Sequence, residues 1–262
     1  MKKIGLALGG GGAKGLCHIA FLKALDEMGV KPALIAGTSI GAVIGGFYAA
    51  GISGAEIEEE LKNIRLKDLY QMAVDFSLFS NSALYRGKGV EDYLSRKIPV
   101  RTFEELPTPL KVVATDFWNR REVVLEQGDL TIAIWASMAM PVVFEPVLLA
   151  GTVLIDGGAV NPLPYDLLQG ECELTIAIDV SGEKTYTPDD PVPNMLESIL
   201  STFQIMQASI VEAKRKIFPP DFYVKPALTN IRVLDFYRYK EILGGVQDEV
   251  ARLKEDLEKA LK

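Results

Sequence analysis

The chain has 262 residues, 48% of them hydrophobic, enough for one sizeable α/β domain. A net charge of −7 without any Lys/Arg block argues against a nucleic-acid partner. One histidine and two separated cysteines, Cys17 and Cys172, leave a zinc site almost without ligands and favour buried free thiols over a disulfide.

Lys3 to Leu8 reads as a short buried strand that runs into Gly9-Gly10-Gly11-Gly12-Ala13-Lys14-Gly15. Apolar residues from Leu16 to Leu25 then recur at helical spacing up to Gly29, a C-terminal stop. Glycines opening a helix expose backbone N–H groups without intrahelical partners, and the helix dipole helps them hold an anion. As a dinucleotide loop, Gly10 to Gly15 would need a carboxylate after the second strand. That strand, Ala33 to Ala36, ends instead in Gly37-Thr38-Ser39. As a P-loop it fails because Lys14 precedes Gly15 and no Ser or Thr follows the lysine. An oxyanion loop, or a tight packing turn, remains. Met1 to Ala13 mimics a signal peptide, but glycine dilutes its apolar core and no small-residue cleavage site follows, so the protein is expected in the cytoplasm. The uncharged run from Ala33 to Ile52 approaches the length of a membrane span. Five glycines and a serine turn within it fit a strand–turn–helix better.

That turn, Gly37-Thr38-Ser39-Ile40-Gly41, carries the pattern G-x-S-x-G, in which a serine rides a sharp strand-to-helix corner with its hydroxyl outward. Glu56 to Leu69 is expected to be an amphipathic helix, and Tyr70 to Tyr85 a flap or a packed loop. Val90 to Arg96 suggests a short helix, Lys111 to Thr115 and Glu122 to Leu125 strands, and Thr131 to Met140 a helix ended by Pro141. Val147 to Ile155 resembles a hairpin broken at Ala150-Gly151, and it delivers Asp156-Gly157-Gly158 at a strand end. Leu174 to Val180 is a buried strand and Lys184 to Pro193 a surface loop. A helical stripe from Met195 to Ile210, ending in Lys214-Arg215-Lys216, is expected to be core rather than lipid-facing. Phe222 to Val224 reads as an edge strand, and Leu243 to Leu257 as a docked helix.

A Ser-His-Asp hydrolase of the α/β type needs its histidine after the serine, whereas the only histidine here, His18, precedes Ser39. His18 is then most simply a packing or hydrogen-bonding residue. Some other group must activate Ser39, and Asp156 is the best placed by motif.

At this point the chain resembles the patatin-like phospholipase family. Three marks stand in family order: the loop Gly10 to Gly15, the turn Gly37 to Gly41, and Asp156 to Gly158. The segment Ala136 to Pro141, with Phe144 and Pro146, is also similar. The likeness is strongest to bacterial single-domain members, similar to the catalytic domain of neuropathy target esterase. It implies a three-layer α/β/α sandwich with a largely parallel central sheet over residues 1–262, the motifs lying in about 4–165 and C-terminal helices and an edge strand in about 190–262. It also implies a Ser39 nucleophile and an Asp156 general base. Gly10, Gly11 and Gly12 would supply the oxyanion hole, with Gly37, Gly41, Gly157 and Gly158 in support. Lys14 would orient the loop or, as an exposed helix-start residue, do nothing catalytic. The expected substrate is a lipid or acyl ester, met with transient contact at a membrane surface and without cofactor or metal. The alternatives are a regulatory protein that has kept the site and a nucleotide-binding oxidoreductase.

Overall fold

The computed structural model describes residues 2–63, 88–185 and 192–262. The strands are β1 (Ile4–Leu8), β2 (Leu34–Thr38), β3 (Leu110–Asp116), β4 (Arg121–Leu125), β5 (Val147–Leu149), β6 (Thr152–Asp156), β7 (Leu174–Ile178) and β8 (Phe222–Val224). The helices are α1 (His18–Glu27), α2 (Ile40–Ala49), α3 (Gly54–Asn63), α4 (Lys88–Lys97), α5 (Leu130–Met138), α6 (Met195–Ile217), α7 (Tyr239–Gly244) and α8 (Gln247–Leu261).

The near-continuous apolar runs of β1, β2 and β7 are what parallel strands covered on both faces require. Alternate residues divide between the faces. Leu6, Leu8, Ile35, Ile176 and Ile178 enter the main core, which α1, α2, α5 and α8 close. Ala7, Ala36 and Ala177 face a second cluster containing Tyr165, Leu168 and Val211 of α6. The result is the three-layer α/β/α arrangement expected, with β3, β2, β1, β7 and β8 parallel in that order. Antiparallel pairs complete it: β4 and β6 on β3, and β5 on β6 through a two-residue turn. Both turn residues, Ala150 and Gly151, have positive φ, as a type I′ hairpin needs.

The register of β3 positions the site. Val112 and Val113 pair with β2 and with β4, so those two strands lie on opposite edges. Ala114 to Asp116 pair with β4 and with β6, so β6 shares an edge with β2. β2 runs parallel to β3 and ends at Thr38 opposite Val113. β6 runs antiparallel and ends at Asp156 opposite Ala114. The C-terminal ends of β2 and β6 therefore meet nose to nose, although 117 positions separate Ser39 from Asp156.

Two expectations are corrected. The stripe on α6 is not core: Leu200 is buried, but Met195, Leu196, Ile199 and Met206 are exposed. The predicted C-terminal helix is two helices, α7 and α8, separated at Gly245–Val246. The flap or loop expected at Tyr70 to Tyr85 lies outside the described residues, as do the end of the helix read to Leu69 and most of the Lys184 to Pro193 loop. Among the described residues no helix is long and apolar enough to cross a membrane.

Candidate active site

Ser39 stands at the corner between β2 and α2 with φ 56° and ψ −125°, a conformation costly for a residue with a side chain. Its surroundings over-determine that corner. Its N–H donates to Ser137 Oγ at 2.8 Å, and its carbonyl accepts from the Ala42 and Val43 N–H groups. The Thr38 hydroxyl donates to the Asn161 carbonyl at 2.8 Å. The flanking glycine is a packing necessity: a Cβ on Gly41 would sit 2.1 Å from the Leu8 carbonyl oxygen. α2 thus rests directly on the end of β1, and the serine hydroxyl is pushed out past both.

Asp156, the last residue of β6, is held at every polar atom. Its N–H donates to the Ala139 carbonyl at 2.9 Å, and its own carbonyl accepts from the Thr115 hydroxyl at 2.8 Å. Oδ1 accepts from the Gly158 N–H at 2.7 Å, and Oδ2 accepts from the Ser39 hydroxyl at 2.7 Å. Burial pushes this carboxyl up to about 6, against the opposing pull of the hydrogen bonds from Ser39 and Gly158. At neutral pH it is still mostly ionised, and it is a stronger base than an exposed aspartate.

The glycine loop lies alongside. Gly9 N–H donates to the Ile178 carbonyl and Gly10 N–H to the Pro162 carbonyl, at 3.1 and 2.9 Å. Gly10 is therefore corrected as an oxyanion donor: its N–H is already used in tying the loop to the segment after Asp156. The N–H groups of Gly11 and Gly12 have no acceptor among the described residues, and both glycines line a small pocket with Ser39 and Asp156. Gly12 takes φ +61°, and a Cβ there would meet the Val233 carbonyl oxygen at 2.4 Å.

Two neighbours of the loop bear on earlier expectations. His18 is fully buried, and its Nε2–H donates to the Gly9 carbonyl at 2.9 Å. Burial pushes its imidazole down to about 4, so it is neutral at physiological pH and acts as a brace for the loop. Lys14 is corrected: it is buried, not exposed. Its ammonium donates to the Ile231 carbonyl at 3.3 Å, and burial pushes it down to about 8, against the attraction of Asp235 and Asp179. Gly37, Gly157 and Gly158 all sit where a Cβ would strike a neighbour within 2.7 Å.

Sequence reasoning missed three contributors. Ser137 fixes the nucleophile corner. Gln204 and Gln207 reach in from α6 to line the pocket of about 220 Å³ that holds Ser39 and Asp156. A pair of glutamines three apart inside an apolar stripe was the available signal for α6, since one helix face cannot bury both kinds of residue without a reason.

The family model of patatin-like phospholipases matches residues 6–168, which span all three motifs. An uncharacterized NTE family protein of Mycobacterium bovis is 36% identical over 74% of this chain and 53% of its own length. The lysophospholipase NTE1 of Kluyveromyces lactis is 28% identical over 91% of this chain and 18% of its own. The chain thus spans about half the length of the mycobacterial relative and under a fifth of the yeast one. The crystal structure of VipD from Legionella pneumophila shares the fold, with a TM-score of 0.53, 17% identity, and coverage of 96% of this chain and 67% of that one. Motifs, topology and family match agree, and the chain belongs to the patatin-like phospholipase family.

Proposed function

We propose that this chain is a serine acyl hydrolase that cleaves carboxylic ester bonds of lipids with a Ser39–Asp156 dyad. The observation that carries the reading is the 2.7 Å hydrogen bond from the Ser39 hydroxyl to Asp156 Oδ2, made at a strained corner beside two uncommitted N–H groups. Ser39 Oγ attacks the ester carbonyl carbon while its proton passes to Asp156. The carbonyl oxygen, now an anion, is met by the Gly11 and Gly12 N–H groups, each worth about 3–4 kcal/mol in comparable sites. As the tetrahedral species collapses, the C–O bond to the alcohol breaks and Asp156 returns the proton to that leaving oxygen. Water then attacks the acyl-serine ester, with Asp156 taking its proton, and the Ser39 oxygen leaves with that proton restored.

The substrate class is a phospholipid, lysophospholipid or neutral acyl ester. The printed activity of the yeast relative and the family both support this choice. Transient contact with a lipid surface belongs to the exposed aliphatic face of α6, which borders the site. The unpaired thiols of Cys17 and Cys172 suit a reducing cytoplasm.

The test is a fluorophosphonate probe together with p-nitrophenyl ester and phospholipid hydrolysis. Wild type is labelled and active. Ser39→Ala is unlabelled and at least about 1,000-fold slower, with stability changed by no more than about 1–2 kcal/mol. A variant that keeps more than about a hundredth of wild-type turnover would place the nucleophile elsewhere. An unlabelled, inactive wild type would favour a regulatory protein that retains the site.

A further inference from the structure

A second concavity opens beside the reacting groups. Met140 and Pro141 form one wall, and Ile199, Leu200, Phe203 and Met206 of α6 form the other, enclosing about 440 Å³ with its open mouth. Two of these residues, Met140 and Phe203, also line the pocket of Ser39 and Asp156, so the two spaces are continuous. Met140 follows Ala139, whose carbonyl holds the Asp156 N–H, so the groove begins next to the proton acceptor.

We propose that this groove receives the acyl chain of the substrate. The proposal rests on the hydrolase reading above and adds to it where the fatty chain lies and what reads its length.

Helix α6 changes character at the boundary between the two spaces. Toward the groove it presents Ile199, Leu200, Phe203 and Met206, a stripe at helical spacing. Toward the reacting groups it presents Gln204 and Gln207. Gln204 Nε2 is buried and has no acceptor, a state that costs free energy unless something else supplies one. An ester joined to a hydrocarbon chain has this same division: oxygens at one end and methylenes beyond.

The groove is also apolar where water would reach it. Ile199 is 43% and Met206 56% exposed, although the sequence pattern predicts burial for both. A chain laid between them and Met140–Pro141 would cover apolar surface on both sides. The opposite wall is fixed in an uncommon backbone conformation, since the β-branched Val142 following Pro141 has φ 73°. In a phospholipid or lysophospholipid the leaving alcohol is the polar partner, which leaves the acyl side as the only part whose chemistry matches these walls.

The experiment holds the leaving group constant and varies only the acyl side, using p-nitrophenyl esters from acetate to octanoate below their aggregation limit. For wild type, kcat/KM is expected to climb by up to about fourfold per added methylene until the groove is filled. Met206→Trp, which fills the groove, should lower the octanoate-to-acetate ratio of kcat/KM at least tenfold, mainly through KM. Thr202→Trp, at an exposed position of the same groove, carries the test should the first variant fail to fold. Fluorophosphonate labelling of Ser39 reports that the reacting site is intact in each. A flat chain-length profile in an active wild type, or an unchanged ratio in a folded and labelled variant, overturns the groove while leaving the hydrolase reading standing. A wild type that neither labels nor hydrolyses any ester overturns both.

Discussion

The two sides of the pocket are built differently. On one side, Ser39, Asp156 and the loop at Gly9–Gly12 are fixed by bonds from the ends of β1, β2 and β6, with backbone groups on nearly every one. On the other side stands α6, 23 residues long, with Leu200, Gln207 and Val211 its buried residues. That helix is anchored near its C-terminal end. Lys214 donates to Asn161 Oδ1, to the Leu163 carbonyl and to Asp166, at 2.6, 2.6 and 2.5 Å, and lies over the Tyr165 ring. The difference separates two tasks. Transition-state groups need positions held to a fraction of an ångström, whereas the wall that meets a flexible chain needs surface and some freedom.

The largest effect expected lies on the fixed side. Asp156→Asn removes the proton acceptor while nearly keeping its shape, so ester hydrolysis should fall by about 100- to 10,000-fold. Circular dichroism should report an unchanged fold, and His18→Asn should retain the dyad chemistry while losing stability through its bond to Gly9. A folded, inactive His18→Asn beside an active Asp156→Asn would reverse the assignment.

Next comes a direct comparison of the two walls. Gly12→Ala forces a Cβ to within 2.4 Å of the Val233 carbonyl oxygen at a left-handed φ. It should cost about 1–3 kcal/mol in urea unfolding and reduce turnover at least tenfold. Met195→Ala, at the 80% exposed start of α6, should change stability by no more than about 0.5 kcal/mol. Equal losses from the two would mean that the walls are equally rigid.

How much of this could be read in advance follows the same division. The glycine loop, the serine corner and the aspartate turn were legible because each needs particular residue types at fixed spacing: glycines where Leu8, Val113 and Val233 press close, and a polar residue at the corner. The parallel sheet was legible from its unbroken apolar strands. What the sequence left open was long-range partnership. Nothing local tells that Pro162 takes the Gly10 N–H, or that Ser137 reaches Ser39 across 98 positions. Lys14 was misread because a lysine at a helix start is usually solvated, and only the fold brings Asp179, Asp235 and the Ile231 carbonyl around it. The α6 stripe was misread because periodicity gives a helix face without saying what covers it.

The next effect is in pH. The proposed base must be ionised, and its carboxyl is pushed up to about 6 by burial. kcat/KM on a neutral ester should therefore be level above about pH 7 and fall about tenfold per unit well below 6. His18, held near 4 and braced on Gly9, contributes no rising limb near neutrality. A profile still level at pH 5 would mean an ordinary solvated carboxylate, and with it a more open pocket than the one described.

The smallest effect is thermodynamic, and its sign is the sharpest check on the fixed side. Asp156 has its folded value raised to about 6 from an ordinary 3.8, so between those values the folded protein binds more protons than the unfolded chain. Wild-type stability must then decline as pH rises from about 4 to 6, and the deficit persists above that range. Asparagine does not titrate. The Asp156→Asn variant loses some hydrogen bonding to Ser39, but that loss is the same at every pH. His18 titrates alike in both proteins, so its contribution cancels in the difference. The gap in unfolding free energy should thus move in the variant's favour between pH 4 and pH 7, by an amount of order 1–3 kcal/mol. Urea titrations of both proteins at several pH values measure it. A gap that moves the other way would mean that the bonds from Ser39 and Gly158 outweigh burial, leaving a stabilised carboxylate too weak a base to activate the serine.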